Sequence, residues 1–351
     1  MNSNHRPVTV LIPGDLHLTE VGEPNYEAAR WAISQANDFI RPDFVQFIGD
    51  NVQDGTPEQF ALFKSITYQL QVPWYALVGD HDAQGDAEAL RFREFVDDTC
   101  GSVTLEGFRF LRLNTQEARP VGMSMEQLGW FKGEVDAARA ACEKVVIFQH
   151  NYPFQIWEDY SGPGIDTWRE VVQSRRIHAI ITGHTHYWQK ANDGRNAIVT
   201  TRSIGDPEGG PAGYTLAVFS GEDFAISFRS IEDRGPLILI AHPRESILAT
   251  GPEHIVKEDD EVRARIWHRG RIDSVRVRLD DGNWDAMQPC GAALWRGPIH
   301  GRELAKGLHT LSVRVEGEDA AEREIEFAVD PTGRYTAIPR VHPIVTATRF
   351  C

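Results

Sequence analysis

Five apolar runs of strand length each stop at a short cluster of Asp, His and Gly, and no other feature of this sequence constrains its fold as much. Val8–Ile12 leads to Asp15-Leu16-His17, Phe44–Ile48 to Gly49-Asp50-Asn51, and Trp74–Val78 to Gly79-Asp80-His81-Asp82. Val145–Phe148 leads to His150, and Ile177–Thr182 to Gly183-His184-Thr185-His186. Short apolar runs bounded by Gly, Pro or Asp predict buried strands, and Phe108–Leu113 adds a sixth. Between the first two runs, Ala28, Ala29, Ala32, Ile33, Ala36 and Ile40 fall on one helical stripe that ends before Pro42. Ser124-x-x-Gln127 predicts a capping box that opens a helix through Leu128, Phe131 and Val135. Alternating strands and helices predict an α/β fold, a layered β-sheet core with flanking helices. In such folds ligands bind beyond the carboxyl ends of the strands, which is where every cluster sits.

At 351 residues the chain is long enough for two domains. After about Ser230 the helical pattern gives way to strand-like alternation at Val262–Trp267, Val275–Leu279, Leu311–Val315 and Ile325–Val329, with Asp281-Gly282 as a turn signal. This predicts a C-terminal all-β sandwich of immunoglobulin or fibronectin type. The expected division is a catalytic domain over 1–232, a sandwich over 233–330 and an irregular tail over 331–351, with Arg234 to Pro243 linking the halves.

A formal net charge of −15, with no Lys/Arg cluster, argues against a polymeric nucleic acid as substrate. No apolar run is long enough to span a bilayer, and Met1 to Pro7 is polar and followed by a strand-length run, so a cytoplasmic location and no membrane partner are expected. The four cysteines lack paired short spacing, which leaves His and Asp to build any metal site. Gly49, Gly79 and Gly183 precede three of the clusters, either to permit tight turns or as ordinary strand terminators.

The order and wording of the clusters, D-x-H, G-D, G-D-H-D, H and G-H-x-H, resemble the calcineurin-like metallophosphoesterases over roughly residues 8 to 230, in the branch of cyclic nucleotide and glycerophosphodiester phosphodiesterases. The resemblance implies that Asp15, His17 and His186 bind one metal ion, that Asp80, His150 and His184 bind a second, and that Asp50 bridges both through its two oxygens. It assigns His81 to acid catalysis or oxyanion stabilisation, with Asp82 holding its imidazolium in orientation. The implied reaction is hydrolysis of a small phosphodiester by a hydroxide bridging two divalent ions, Mn²⁺, Fe²⁺ or Zn²⁺, with one Fe³⁺ left open. Purple acid phosphatases carry a Tyr three residues after the Asp that corresponds to Asp50, where this chain has Gln53, and their first motif lacks the counterpart of His17. A ferric-tyrosinate centre is therefore disfavoured.

The family's usual Asn is replaced here by Asp80, which removes one unit of positive charge and predicts a preference for diesters over dianionic monoesters. Tyr152, Phe154, Trp157, Tyr160 and Trp168 flank Gly162-Pro163-Gly164 and are expected either to overhang the site as a lid, with Tyr152 and Trp157 touching substrate, or to pack the domains together. Arg202 is a candidate phosphoryl contact. A small phosphoester is the expected partner, and interface or homo-oligomer duty is expected of the second domain. A phosphomonoesterase acting on nucleotides, sugar phosphates or phosphoproteins stays open as a second reading. A non-catalytic scaffold of the same fold is the third, against which the full ligand set and His81 argue.

Overall fold

The computed structural model describes residues 5–343 apart from 87, 119–120, 152–161, 208–209 and 292. The strands of the first half are β1 (Val8–Pro13), β2 (Phe44–Phe47), β3 (Trp74–Ala76), β4 (Gly101–Leu105), β5 (Phe108–Leu113), β6 (Lys144–Gln149), β7 (Ala179–Thr182), β8 (Gln189–Asn192), β9 (Ala197–Thr200), β10 (Gly213–Ser220) and β11 (Asp223–Ser230). The helices are α1 (Pro24–Gln35), α2 (Pro57–Thr67), α3 (Leu90–Phe95), α4 (Met125–Ala140) and α5 (Ile165–Ser174). The second half contributes β12 (Leu237–His242), β13 (Asp260–Trp267), β14 (Ile272–Leu279), β15 (Asp285–Ala286), β16 (Gln288–Pro289), β17 (Leu294–Ile299), β18 (Gly307–Gly317), β19 (Ala321–Val329) and β20 (Arg340–His342).

Two mixed sheets, ordered β11-β10-β1-β2-β3 and β20-β8-β9-β7-β6-β5-β4, form the first half. Successive side chains on a strand point to opposite faces. On β1, accordingly, Val8, Val10 and Ile12 enter the core shared by both sheets, with Phe44, Phe110, Phe148 and Ile181, while Leu11 joins the core under α1, α2 and α3. On the far side, Leu128 and Phe131 of α4 and Trp168 and Val172 of α5 cover Leu111, Ile147 and Ile180. The result is a helix–sheet–sheet–helix stack, and burial on both faces is why the strands read as unbroken apolar runs. Ser124 caps α4 by accepting the Gln127 N–H at 3.1 Å. The Gln127 side chain turns instead to Asn114 and Glu117, so only half of the expected capping box forms.

The C-terminal half consists of two antiparallel four-stranded sheets, β12-β13-β17-β16 and β15-β14-β18-β19, closed over Ile240, Val262, Val275, Val313 and Phe327. All four strands expected there are present. The expected linker from Arg234 to Pro243 is not one, because it contains β12. Ile238 and Ile240 enter the sandwich core, whereas Leu237, Leu239 and Ala241 enter the core of the first sheet and its helices. A strand apolar on both faces shows no alternation, which hid it in the sequence. The expected irregular tail also needs correction. β20 pairs antiparallel with β8, and Gln189 Nε2 donates to the Pro343 carbonyl at 2.7 Å. Positions 344–351 lie outside the described residues.

Charged groups add to this joint. His242 lies between Asp223, 2.8 Å from Nδ1, and Asp260, 3.0 Å from Nε2. Arg263 Nε donates to Asp223 at 2.9 Å.

Candidate metal centre

Every ligand cluster leaves the carboxyl end of a parallel strand. Asp15 and His17 follow β1, Asp50 follows β2, Asp80 follows β3, His150 follows β6, and His184 and His186 follow β7. Strand pairing through β1–β2–β3 and β5–β6–β7 aims these loops at one point. The loops turn hard. His17, Asp50, His184 and His186 have φ of 46°, 48°, 65° and 59°, in the left-handed region that L-residues avoid. Such strain costs about 1–3 kcal/mol per residue and clusters at functional sites. The glycines before the clusters are required by close approach. A Cβ on Gly79 would lie 2.0 Å from Asp50 Oδ1, one on Gly49 2.4 Å from His150 Nδ1, and one on Gly183 2.9 Å from Asp15 Oδ1.

Two groups of potential ligands converge and share one residue: Asp15, His17, Asp50 and His186, and Asp50, Asp80, His150 and His184, each with ligand atoms within 4.8 Å of one another. In the first, His17 Nε2 is 3.0 Å from His186 Nε2 and 3.9 Å from Asp50 Oδ2. In the second, His150 Nε2 is 3.2 Å from Asp50 Oδ2 and 3.1 Å from Asp80 Oδ1, and His184 Nδ1 is 3.0 Å from that same Asp80 oxygen. Asp50 Oδ2 thus faces both groups, while Oδ1 accepts the His81 N–H at 2.9 Å.

These donors fit a pair of divalent cations. Carboxylate and imidazole together suit first-row transition metals. Among the described residues, buried Asp15 Oδ2 has no hydrogen-bond partner, while Oδ1 of the same carboxylate accepts the His184 N–H at 2.8 Å. His150 lies with Nδ1 2.9 Å from the Ile48 carbonyl, to which it donates, so that Nε2 is the nitrogen presented to the site.

The charges are matched to such a role. Burial lowers the His17 pKa against the pull of Asp50 and Asp15, favouring the neutral imidazole a metal requires. Burial opposes charge on His150 too, but Asp50, Asp80 and Asp15 outweigh it and raise its pKa well above the ordinary value. Burial likewise works against ionising Asp50 and Asp80, yet His150, with His17 for Asp50 and His184 for Asp80, brings both below the usual carboxylate range.

His81 lies beside these groups, its ring edge-on to His17 with centroids 4.6 Å apart. Nδ1 donates to the Gln53 carbonyl at 2.6 Å. Burial disfavours the imidazolium, but Asp50, the Gln53 carbonyl and Asp80 prevail and raise the His81 pKa. The orienting partner is thus Gln53, and the role expected of Asp82 needs correction. Asp82 is buried and its carboxylate faces Asn51, Val52 and Gly79. Burial and the Asp50 charge push its pKa up, while the Gly79 and Asn51 N–H groups that donate to it favour the ionised form.

Arg202 stacks over Phe228 at 4.8 Å and donates to the Pro211 carbonyl at 3.3 Å. Trp168 is a core residue whose Nε1 donates to Gln149 at 3.1 Å, which removes it from the expected lid. Tyr152, Phe154, Trp157 and Tyr160 lie outside the described residues. Sequence reasoning missed Gln53, which acts through its backbone and leaves no side-chain signal. It also missed Asp206, whose Oδ2 is 3.8 Å from His186 Nδ1.

Comparison with known proteins agrees with this geometry. The family model of the calcineurin-like phosphoesterases matches residues 8–188, more than half of the chain. A protein of Arcobacter nitrofigilis described as a probable glycerophosphodiester phosphodiesterase, GpdQ, is 30% identical over 161 residues, 42% of this chain and 57% of that relative. The chain thus spans less than two thirds of the relative's length. Among solved structures, a dimetal phosphatase from Danio rerio superposes with a TM-score of 0.52 at 13% identity, covering 64% of this chain and 96% of that one. The purple acid phosphatase PPD1 of yellow lupin gives 0.54 at 13% identity, covering 66% and 52%. At such identities the structural likeness is one of fold. Together with the sequence match through all five ligand clusters, it means that this chain belongs to the calcineurin-like phosphoesterase family.

Proposed function

We propose that the protein is a phosphodiesterase that hydrolyses a small phosphodiester at a dinuclear centre. The observation that carries this reading is the pair of ligand groups sharing Asp50 Oδ2, with His81 beside them. Two divalent ions, of the Mn²⁺, Fe²⁺ or Zn²⁺ kind, would supply Lewis acidity and a lowered pKa for water. Asp15, His17 and His186 would hold one ion and Asp80, His150 and His184 the other, with Asp50 shared between them. His81, fixed through Nδ1 by the Gln53 carbonyl, is the group that protonates the leaving oxygen.

Asp80 supplies a carboxylate where an amide would leave the centre more positive. A monoanionic diester is less dependent on positive charge than a dianionic monoester, so Asp80 favours the diester. The relative named as a glycerophosphodiester phosphodiesterase supports the same choice. In this reading residues 1–232 carry the chemistry and 233–330 the sandwich that packs against it.

The test is turnover of bis-p-nitrophenyl phosphate and p-nitrophenyl phosphate by chelated protein refilled with Mn²⁺, Zn²⁺ or Fe²⁺, alongside His81→Ala. Metal-dependent diester hydrolysis that falls about 10²–10⁴-fold without His81 is expected. Preference for the monoester would overturn the diester assignment, and no turnover of either ester with any of the metals would overturn the hydrolase.

A further inference from the structure

We infer that Asp82 is a positioning residue, a buried carboxylate clamp that is closed before any metal arrives and locks the loop of Asp50 to the loop of Asp80 and His81. Its consequence for turnover rests on the phosphodiesterase reading above, whereas its consequence for metal affinity does not.

The Asp82 side chain is fully buried. Its Oδ1 accepts the backbone N–H groups of Asn51 at 3.0 Å and Val52 at 3.2 Å. Its Oδ2 accepts the Gly79 N–H at 2.9 Å and the Asn51 side-chain amide, also at 2.9 Å. A carboxylate offers about four acceptor positions, and here all are filled by the protein itself. Neither oxygen is left for a cation. Asp15 is the contrasting case, a buried carboxylate with one oxygen orphaned. One acid has its acceptor positions filled by the protein and the other does not, which separates the anchor from the ligand.

The anchored atoms are adjacent to ligands on both loops. Asn51 directly follows Asp50, and Gly79 directly precedes Asp80. The Asn51 amide also donates to the Leu77 carbonyl at 2.8 Å, tying the end of the third strand run into the same knot. Such a device has a physical reason. Asp50 and Asp80 are carboxylates converging on one histidine, and Asp50 adopts φ 48° against a glycine with no room for a Cβ. Without metal, the strain of that backbone favours spreading the loops. Four charge-assisted hydrogen bonds oppose that.

Asp82→Asn keeps the volume but replaces one acceptor oxygen with a donor. Whichever way the amide turns, two N–H groups then face an NH₂. Metal-free wild-type and Asp82→Asn proteins are titrated with Mn²⁺ by calorimetry, with bound metal counted by mass spectrometry. The variant should bind at least one ion about 10–100-fold more weakly, the effect typical of a lost supporting contact. It should also lose kcat with KM little changed. Val313→Ala, a destabilised variant of the sandwich core, which shares no residue with the cluster beneath the ligand loops, should keep wild-type Mn²⁺ affinity, which separates positioning from general loss of stability.

A folded Asp82→Asn protein that binds two Mn²⁺ ions as tightly as wild type would overturn the clamp. Should that variant not fold, amide hydrogen exchange on the metal-free wild type decides. Gly79, Asn51 and Val52 N–H groups protected as well as in the Mn²⁺-loaded form support a preformed clamp, and free exchange of these amides until metal is added refutes it. If the wild type binds two ions and hydrolyses neither ester, the phosphodiesterase reading fails while the clamp stands.

Discussion

The Nε2 atoms of His17 and His186 face each other at 3.0 Å, in a group completed by Asp15 and Asp50. Two imidazole nitrogens at that separation repel unless a proton or a cation lies between them. His186→Ala should therefore reduce bound Mn²⁺ by about one ion per chain and leave the Asp80, His150 and His184 group able to bind. Elemental analysis after dialysis against limiting metal checks this, and retention of the full complement would disprove it.

Metal removal should cost stability as well as turnover. A ligand that binds only the folded chain contributes about 4 kcal/mol at a concentration a thousandfold above its Kd. The orphaned Asp15 Oδ2 and the strained loops around it make the metal-free state the less stable one. Chelation should lower Tm by several degrees, and refilling with Mn²⁺ should restore it. Scanning calorimetry of the two forms is the measurement.

Asp80→Asn should weaken metal binding, because an amide is a poorer ligand than a carboxylate, and should raise monoester turnover relative to diester turnover. Calorimetry gives the first effect and paired assays of the two nitrophenyl esters the second. An unchanged ratio of rates would remove the charge argument.

The joint between the halves should titrate. Burial disfavours charge on His242, but its bonds to Asp223 and Asp260 raise its pKa above 6.5. Burial disfavours charge on both carboxylates as well, yet the same histidine lowers their pKa values. The raised histidine contributes stability fully below about pH 6.5, and this is lost as pH rises through its folded value. The lowered carboxylates contribute above about pH 4, and this is lost as pH falls through theirs. The network should therefore contribute most between about pH 4 and 6.5. The Tm difference between wild type and His242→Gln should be largest there and shrink towards pH 9.

Leu239→Ala should destabilise by about 2–5 kcal/mol, the range for deleting a buried leucine. Because β12 serves both cores, unfolding should stay a single transition. A second, separate transition in the calorimetric trace would show that the halves unfold independently.

Much of this was legible beforehand. Apolar runs marked six of the eleven first-half strands and alternation four of the eight sandwich strands, β4, β8 to β11 and β15 to β17 going unmarked, and the ligand clusters were marked by their place at strand ends. What escaped has a common cause. β12 carries apolar residues on both faces, so its role as a shared wall left no alternation to detect. β20 is short and polar, and pairs with β8 only through contacts remote in sequence. Gln53 orients His81 through a carbonyl, which any residue could supply. Asp82 looked like the partner of its neighbour His81, but adjacent residues on a tight turn point apart, and its carboxylate reaches the loop after β2 instead.

The pairing of β20 with β8 has a consequence for synthesis. β8 begins three residues after His186, yet its outer neighbour is synthesised only after the whole sandwich. During translation the sheet that carries three of the seven candidate metal ligands has an open edge, and an open edge is a template for pairing with other chains. The nascent chain is thus most prone to aggregate late, when its chemistry-bearing half is already assembled and the strand that seals it has not yet emerged.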